Sequence, residues 1–318
     1  MVDKELDLAT IAVSTLRVTD EDVTFIHMLK SHGFEIKLIG DSRFSHGHAS
    51  DGEEIELLRG VSAVVAAGER YPAGVIESLP DLRVIARFGV GYDKVDVAAA
   101  TGNDVVLTIT PNSNYEAVAE HAMTLIMAVA KSIAGNNKAM RAGDWPTQPQ
   151  MPIRGTTLGI VGLGRIGRAL AVRARAMRMN ILATELVPDL DFVHENGIQL
   201  LSLEALLERS DYVSLNCALS DETSGLIDHR KLALMKPEAV LINTARGGLV
   251  VEADLIKALR LGHIGGAGLD VFEVEPTDPD NPLYDMDNVV VSPHIAGNDA
   301  QSMEDMGNEA AQCIIDLF

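Results

Sequence analysis

Gly162-Leu163-Gly164-Arg165-Ile166-Gly167 lies in the middle of the chain, between an apolar run and a helix-forming stretch. Leu158-Gly159-Ile160-Val161 reads as a buried strand. The segment from Arg165 to about Met179 is rich in Ala, Arg, Leu and Met, all good helix formers. Strand, glycine turn and helix in that order are the context a G-x-G-x-x-G match needs. Gly162 permits the tight turn, Gly164 lets the backbone approach a pyrophosphate, and Gly167 lets helix and strand pack closely. The helix N-terminus offers N–H groups and partial positive charge to phosphates. The pattern predicts a Rossmann dinucleotide-binding domain. About half the chain precedes it, so a separate domain is expected there.

The next strand should end in an acid that reads the adenosine ribose. Asn180-Ile181-Leu182-Ala183-Thr184 has the composition of that strand, and Glu185 follows it, 18 residues after Gly167. A carboxylate there binds ribose hydroxyls and repels a 2′-phosphate, so NAD is expected rather than NADP. An isolated acid at that position would read as a solvated strand end; the adjoining fingerprint favours the ribose role.

The 318 residues suffice for two ordinary domains, and a 47% hydrophobic content suffices for large cores. No apolar run is long enough to span a membrane. Met1-Val2-Asp3-Lys4-Glu5-Leu6-Asp7 is acidic and lacks a signal-peptide pattern, which predicts a cytoplasmic protein. A formal net charge of −20 disfavours nucleic acid as a partner. It also means that local positive charge must capture any anionic substrate. Cys217 and Cys313 lie far apart in no metal-ligand pattern, so both are expected as reduced thiols, with Cys217 packing near the cofactor edge. His46 and His48 sit in a polar stretch from Asp41 to Asp51 that reads as a loop; no third ligand is near, and no metal is expected.

Strand-like runs at Thr10–Leu16, Phe34–Ile39, Val61–Ala67, Leu82–Phe88 and Val105–Ile109 alternate with helical stretches, the first of them capped at or near Asp20. Such a βα repeat implies a parallel sheet. Ala117 to Ala134 predicts one long apolar helix, interrupted by Glu120 and His121 and buried in a core or an interface. After the fingerprint, strands are expected at Tyr212–Asn216, Ala239–Thr244, Ala267–Val271 and Asn288–Ser292, then a last helix from about Gln301 to Phe318.

Three segments carry chemistry-bearing residues at strand ends. They are Asn243-Thr244-Ala245-Arg246-Gly247-Gly248, Gly268-Leu269-Asp270-Val271-Phe272-Glu273-Val274-Glu275-Pro276, and Ser292-Pro293-His294-Ile295-Ala296-Gly297. Ligands of open α/β sheets bind outside the carboxyl ends of the strands, so Arg246, Glu275 and His294 could converge on one cleft, with Thr244 and Ala245 expected at the cofactor. Reducing a 2-oxo acid requires a cation for the carboxylate, a proton donor for the carbonyl oxygen and a hydride source. Arg246 can grip a carboxylate bidentately. His294 can donate the proton. Glu275, paired with His294, would orient the ring and favour its charged form. Singly, the three could be an ion pair, a solvated acid and a turn histidine; beside a dinucleotide motif they read as one set.

From about Leu82 to Gly297 the chain resembles the D-isomer-specific 2-hydroxyacid dehydrogenases. The resemblance rests on Leu158–Gly167, Asn243–Gly248, Asp270–Pro276, Pro293-His294 and an earlier segment, Arg87-Phe88-Gly89-Val90-Gly91-Tyr92-Asp93-Lys94-Val95-Asp96. It implies Arg246 on the substrate carboxylate and carbonyl, Glu275 as partner of the histidine, and His294 as general acid/base. It further implies Asp270 near the nicotinamide carboxamide, Arg165 and Ile166 amides on the pyrophosphate, and Val90 and Gly91 amides on the substrate carboxylate. Pro111–Glu120 resembles the family's interdomain crossing and the helix after it, and a homodimer through residues 117–150 is implied.

The chain also departs from relatives. Asn216-Cys217-Ala218 stands where many have histidine-x-proline, so cofactor contacts there should differ. Relatives acting on 3-phosphoglycerate carry an arginine where Ala66 or Ala67 stands here, and no regulatory domain is expected after the last helix, which weighs against that substrate; Arg70 nearby keeps it open. Glu275 argues against formate.

The expectation is therefore an α/β protein of two βα domains with the cleft between them. A flavodoxin-like substrate domain spans residues 1–109 plus 299–318, and a Rossmann domain spans 110–298. The expected activity is NAD-dependent interconversion of a 2-hydroxy and a 2-oxo acid, with glyoxylate, hydroxypyruvate or a larger acid all open. The alternatives are an NAD(H)-binding corepressor-like regulator, or a phosphite- or formate-type dehydrogenase on the same scaffold.

Overall fold

The computed structural model describes residues 9–15, 18 and 21–318. The expected cap at Asp20 and the strand end at Leu16 lie outside them. The chain forms two compact units, one of residues up to Asn114 together with Asn298–Phe318, the other Tyr115–Gly297.

The first unit is built on five strands: β1 (Thr10–Val13), β2 (Glu35–Leu38), β3 (Ala63–Ala66), β4 (Val84–Arg87) and β5 (Val106–Thr108). All pair in parallel, in the order β2-β1-β3-β4-β5. That order is flavodoxin-like. Alternate residues feed two cores, as period-2 side chains on a doubly covered sheet must. Ile11, Val13, Ala63, Val65, Val84 and Ala86 pack with Phe25, Ile26 and Leu29 of the helix Thr24–Ser31. Ala310, Ala311 and Ile314 of the last helix, Ala300–Leu317, close that face. Ala12, Val64, Ala66 and Ile85 face the other core, with Leu58, Val75 and Ile76. Part of the polar stretch after β2 is helical rather than loop: Asp41 accepts from the Arg43 and Phe44 amides and caps a turn at Ser42–His46.

The second unit holds β6 (Thr157–Val161), β7 (Asn180–Thr184), β8 (Gln199–Leu200), β9 (Tyr212–Leu215), β10 (Val240–Asn243), β11 (Gly266–Leu269) and β12 (Val289–Val291). Their order is β12-β11-β10-β9-β6-β7-β8, all parallel. The order reverses beside β6, between it and β9, which is the Rossmann switch point. β8 is too short to show as an apolar run, so periodicity did not predict it.

The expected single helix from Ala117 to Ala134 is two. Tyr115–Ala130 ends before Ser132, whose φ of 45° is left-handed, and Ile133–Ala142 follows. The first buries Ala119, Ala122, Met123, Leu125 and Ile126 against Leu158, Ile160, Leu170, Val240 and Ile242. The second buries no residue. No single helix among the described residues is long and apolar enough to cross a membrane.

Candidate active site

The glycine turn follows β6 directly. Gly162 has φ +93°, and a Cβ there would lie 2.8 Å from the Cys217 amide nitrogen. A Cβ on Gly167 would lie 2.2 Å from the Gly162 carbonyl oxygen. The protein's own packing therefore demands both glycines. Gly164 differs: its φ is −72°, and a Cβ would meet nothing within 4 Å. The space it leaves lies at the start of the helix Arg165–Ala176, where no side chain caps the first-turn amides of Arg165 and Ile166. A pyrophosphate fits both the space and the donors.

Glu185 reaches back to this turn. One carboxylate oxygen accepts from the Leu163 amide at 2.6 Å, the other from the Leu186 and Val187 amides at 2.8 and 3.2 Å. The acid is thus fixed beside the fingerprint, with acceptor capacity remaining. Along the same sheet edge, Asn216 Oδ1 and Thr244 Oγ1 are buried without a partner. Such atoms are costly unless a ligand satisfies them. Together these features fit a bound dinucleotide. Cys217 is half-buried among them; burial, with the charge of Glu185 adding to it, pushes its thiol up. It is a neutral packing group, not a nucleophile.

After β10, Asn243 is buried and organises the loop. Its Oδ1 accepts from the Ala245 amide at 3.1 Å and its Nδ2 donates to the Arg246 carbonyl at 2.8 Å. A Cβ on Gly247 would lie 1.9 Å from the Phe272 carbonyl, so the Arg246 loop docks directly on the backbone after β11. Half-buried Arg246 donates from Nη1 to the Ala245 carbonyl at 2.7 Å.

The loop after β11 carries Glu275, whose Oε1 accepts from the Phe272 amide at 2.9 Å. Its Oε2 takes the Nδ1 of His294 at 2.7 Å. A carboxylate only accepts, so His294 holds a proton on Nδ1 there. Glu275 and His294 thus meet across 19 residues. Asp270 is fully buried, and its carboxylate is turned onto the histidine loop. Oδ1 accepts from Ser292 Oγ at 2.6 Å and the Ile295 amide at 3.0 Å, and Oδ2 from the Ala296 amide at 2.8 Å. Ser292 Oγ also lies 2.8 Å from His121 Nε2. Sequence reading assigned no role to Ser292 or His121. The only signal was a histidine inside an otherwise apolar helix.

In the first unit, Val90 and Gly91 follow β4, at the carboxyl end of its sheet. Buried Arg87 fixes that loop by donating from Nε to the Gly91 carbonyl at 3.0 Å. Gly89 donates its amide to Thr110 Oγ1 at 2.9 Å.

The NAD-binding domain of D-isomer-specific 2-hydroxyacid dehydrogenases matches residues 123–296. A glyoxylate reductase of Korarchaeum cryptofilum is 41% identical over 82% of this chain and 81% of its own. The chain belongs to the D-isomer-specific 2-hydroxyacid dehydrogenases. This enzyme is an NAD-dependent oxidoreductase that interconverts 2-hydroxy and 2-oxo acids. It is also 37% identical to a D-3-phosphoglycerate dehydrogenase of Archaeoglobus fulgidus, over 82% of this chain but 51% of that longer relative. Among solved structures, the TT0316 protein of Thermus thermophilus superposes with a TM-score of 0.84 at 33% identity, covering 95% of this chain and 94% of its own.

Proposed function

We propose that the enzyme acts on a small, unphosphorylated 2-oxo acid such as glyoxylate or hydroxypyruvate, with His294 as the proton donor. The His294–Glu275 contact carries the assignment: it orients the ring and holds a proton on Nδ1. When bound, the dinucleotide would supply the hydride that reduces the 2-oxo acid, or accept it when the hydroxy acid is oxidised. His294 Nε2 gives its proton to the carbonyl oxygen as that bond becomes an alcohol, and takes it back in the reverse direction. Arg246 holds the carboxylate and polarises the carbonyl. Gly162, Gly164, Arg165, Ile166, Gly167 and Glu185 hold the phosphates and ribose. Asn216, Cys217, Ala218, Thr244, Ala245 and Asp270 line the cofactor's remaining edge. Residues 1–109 with 299–318 serve the substrate and 110–298 the cofactor. The enzyme works in the cytoplasm as a homodimer formed through residues 117–150.

The case for an unphosphorylated acid comes from the first unit. Three basic side chains near the carboxyl ends of β3 and β4 are already engaged. Arg70 donates to the Ala49 carbonyl and pairs with Asp51 at 3.2 Å and Glu54 at 3.6 Å. Lys94 donates to the Gly68 carbonyl at 2.8 Å, and Arg87 to the Gly91 and Glu69 carbonyls. A phosphate beside Asp51, which already pairs with Arg70, would meet like charge, which costs several kcal/mol. NADH absorbance with a substrate panel tests this. Glyoxylate or hydroxypyruvate should exceed 3-phosphohydroxypyruvate in kcat/KM by about a hundredfold or more; the opposite order would refute the reading. His294→Ala should lower kcat by about a hundredfold to ten-thousandfold while NADH still binds.

A further inference from the structure

We propose that His121 and Ser292 are positioning residues for the proton donor, acting through Asp270. The inference rests on the proton-transfer role of His294 and adds a second layer of residues behind it.

Hydrogen-bond directions follow from chemistry. Asp270 is a carboxylate and can only accept, so the single hydroxyl proton of Ser292 goes to Oδ1 at 2.6 Å. Ser292 Oγ must then accept from His121, which fixes a proton on Nε2 of that ring at 2.8 Å. His121 Nε2 is 3.6 Å from Asp270 Oδ1, too long for a direct hydrogen bond. The chain runs His121 to Ser292 to Asp270, joining the apolar helix Tyr115–Ala130 to the residue that follows β11.

Asp270 in turn sets the histidine loop. Its carboxylate receives the Ile295 and Ala296 amides, and its main-chain carbonyl receives the His294 amide at 2.7 Å. His294 has φ +52°, a left-handed conformation that is unfavourable for a non-glycine residue. Such a backbone persists only where its surroundings over-determine it. Here three amides in succession are held by one buried residue. If Ser292 loses its hydroxyl, or loses the His121 donor that orients it, that carboxylate keeps its burial while its shortest hydrogen bond is lost or loosened. The loop then has a reason to relax, and the His294 ring moves with it. A displacement of about 1 Å at a reacting atom can cost up to about a hundredfold in rate.

Three variants separate positioning from plain packing. His121→Leu removes the donor, Ser292→Ala breaks the chain with little change in volume, and His121→Gln restores an N–H donor without an imidazole. Expected are a fall in kcat of about tenfold to a hundredfold for His121→Leu and Ser292→Ala, an NADH Kd changed less than about threefold, and substantial recovery in His121→Gln. Hydrogen exchange of the unliganded enzyme should quicken at the His294, Ile295 and Ala296 amides in the two slow variants and return in His121→Gln. Should His121→Leu fail to fold, Ser292→Ala decides. Wild-type kcat and exchange in Ser292→Ala, or His121→Gln as slow as His121→Leu, would overturn the proposal. His294→Ala reports separately: if it alone loses turnover, the proton donor stands and the second layer falls.

Discussion

His294 and Glu54 show how one side chain's surroundings set its chemistry. His294 sits in a left-handed turn, half exposed, with Nδ1 on Glu275. Its residue type and its place after a strand were readable directly. Its tautomer was not, because that depends on an acid 19 residues away. Glu54 is the converse, a carboxylate with no part in the proposed chemistry. It is fully buried, both its oxygens lack a hydrogen bond, and Arg70 stands 3.6 Å away. Burial pushes its carboxyl up to about 7 against the pull of Arg70, and Asp51 and Glu69 add to the rise. The folded state therefore binds this proton more tightly than the unfolded chain does. Its stabilising contribution is complete below about pH 4.5, is lost as pH rises toward 7, and stays lost above. Glu54→Gln should remove about 1–3 kcal/mol of that pH-dependent loss and raise Tm at pH 8 relative to wild type. Equal Tm differences between the two proteins at pH 5 and pH 8 would contradict this.

At the scale of elements, the glycine turn separates what the fold requires from what a ligand requires. Gly162 and Gly167 are forced by backbone contacts, whereas Gly164 faces open space. Gly167→Ala should destabilise the enzyme by about 1–3 kcal/mol or more, because a methyl cannot fit against the Gly162 carbonyl. Gly164→Ala should leave Tm nearly unchanged and weaken NADH binding, measured by fluorescence titration. Loss of Tm in Gly164→Ala with unchanged NADH affinity would reverse the assignment. The motif was legible because all three glycines fall within six residues. Gly247 was only noted in a segment: its neighbour, the Phe272 carbonyl, lies on the next strand's loop, and no local pattern announces such an approach. The polar stretch after β2 and the break at Ser132 were misjudged for a related reason. A cap at Asp41 and a left-handed residue decide them, not apolar periodicity.

For the whole molecule, the helix Ile133–Ala142 and the segment after it call for cover. Ile133 is 57% exposed, Met140 48% and Trp145 79%, and every residue from 141 to 150 is exposed. These exposed apolar side chains, close together in the sequence, are the support for the proposed homodimer. Trp145 is the only tryptophan, so its fluorescence reports this region alone. Sedimentation should give a dimer at micromolar concentration, with blue-shifted emission that moves red on dilution or in Ile133→Glu. A fully active monomer with solvent-exposed emission at every concentration would rule the interface out.

The sequence alone determined the βα class, the dinucleotide turn, an acid directly after β7 and the residue types of the 2-oxo acid chemistry, because each is encoded within a few consecutive residues whose period or spacing can be read physically. Tertiary structure decided the rest: which nitrogen of His294 carries the Glu275-bound proton, why Arg70 is already engaged, and how His121, 171 residues from Ser292, comes to support the loop of the proton donor. Those facts depend on hydrogen bonds and burial between elements distant in the chain, and only the folded sheets bring them within reach of one another. The Gly162–Gly167 turn joins the two levels. Its pattern named the ligand class, and its packing distinguished the glycines that serve the fold from the one that leaves room for a phosphate.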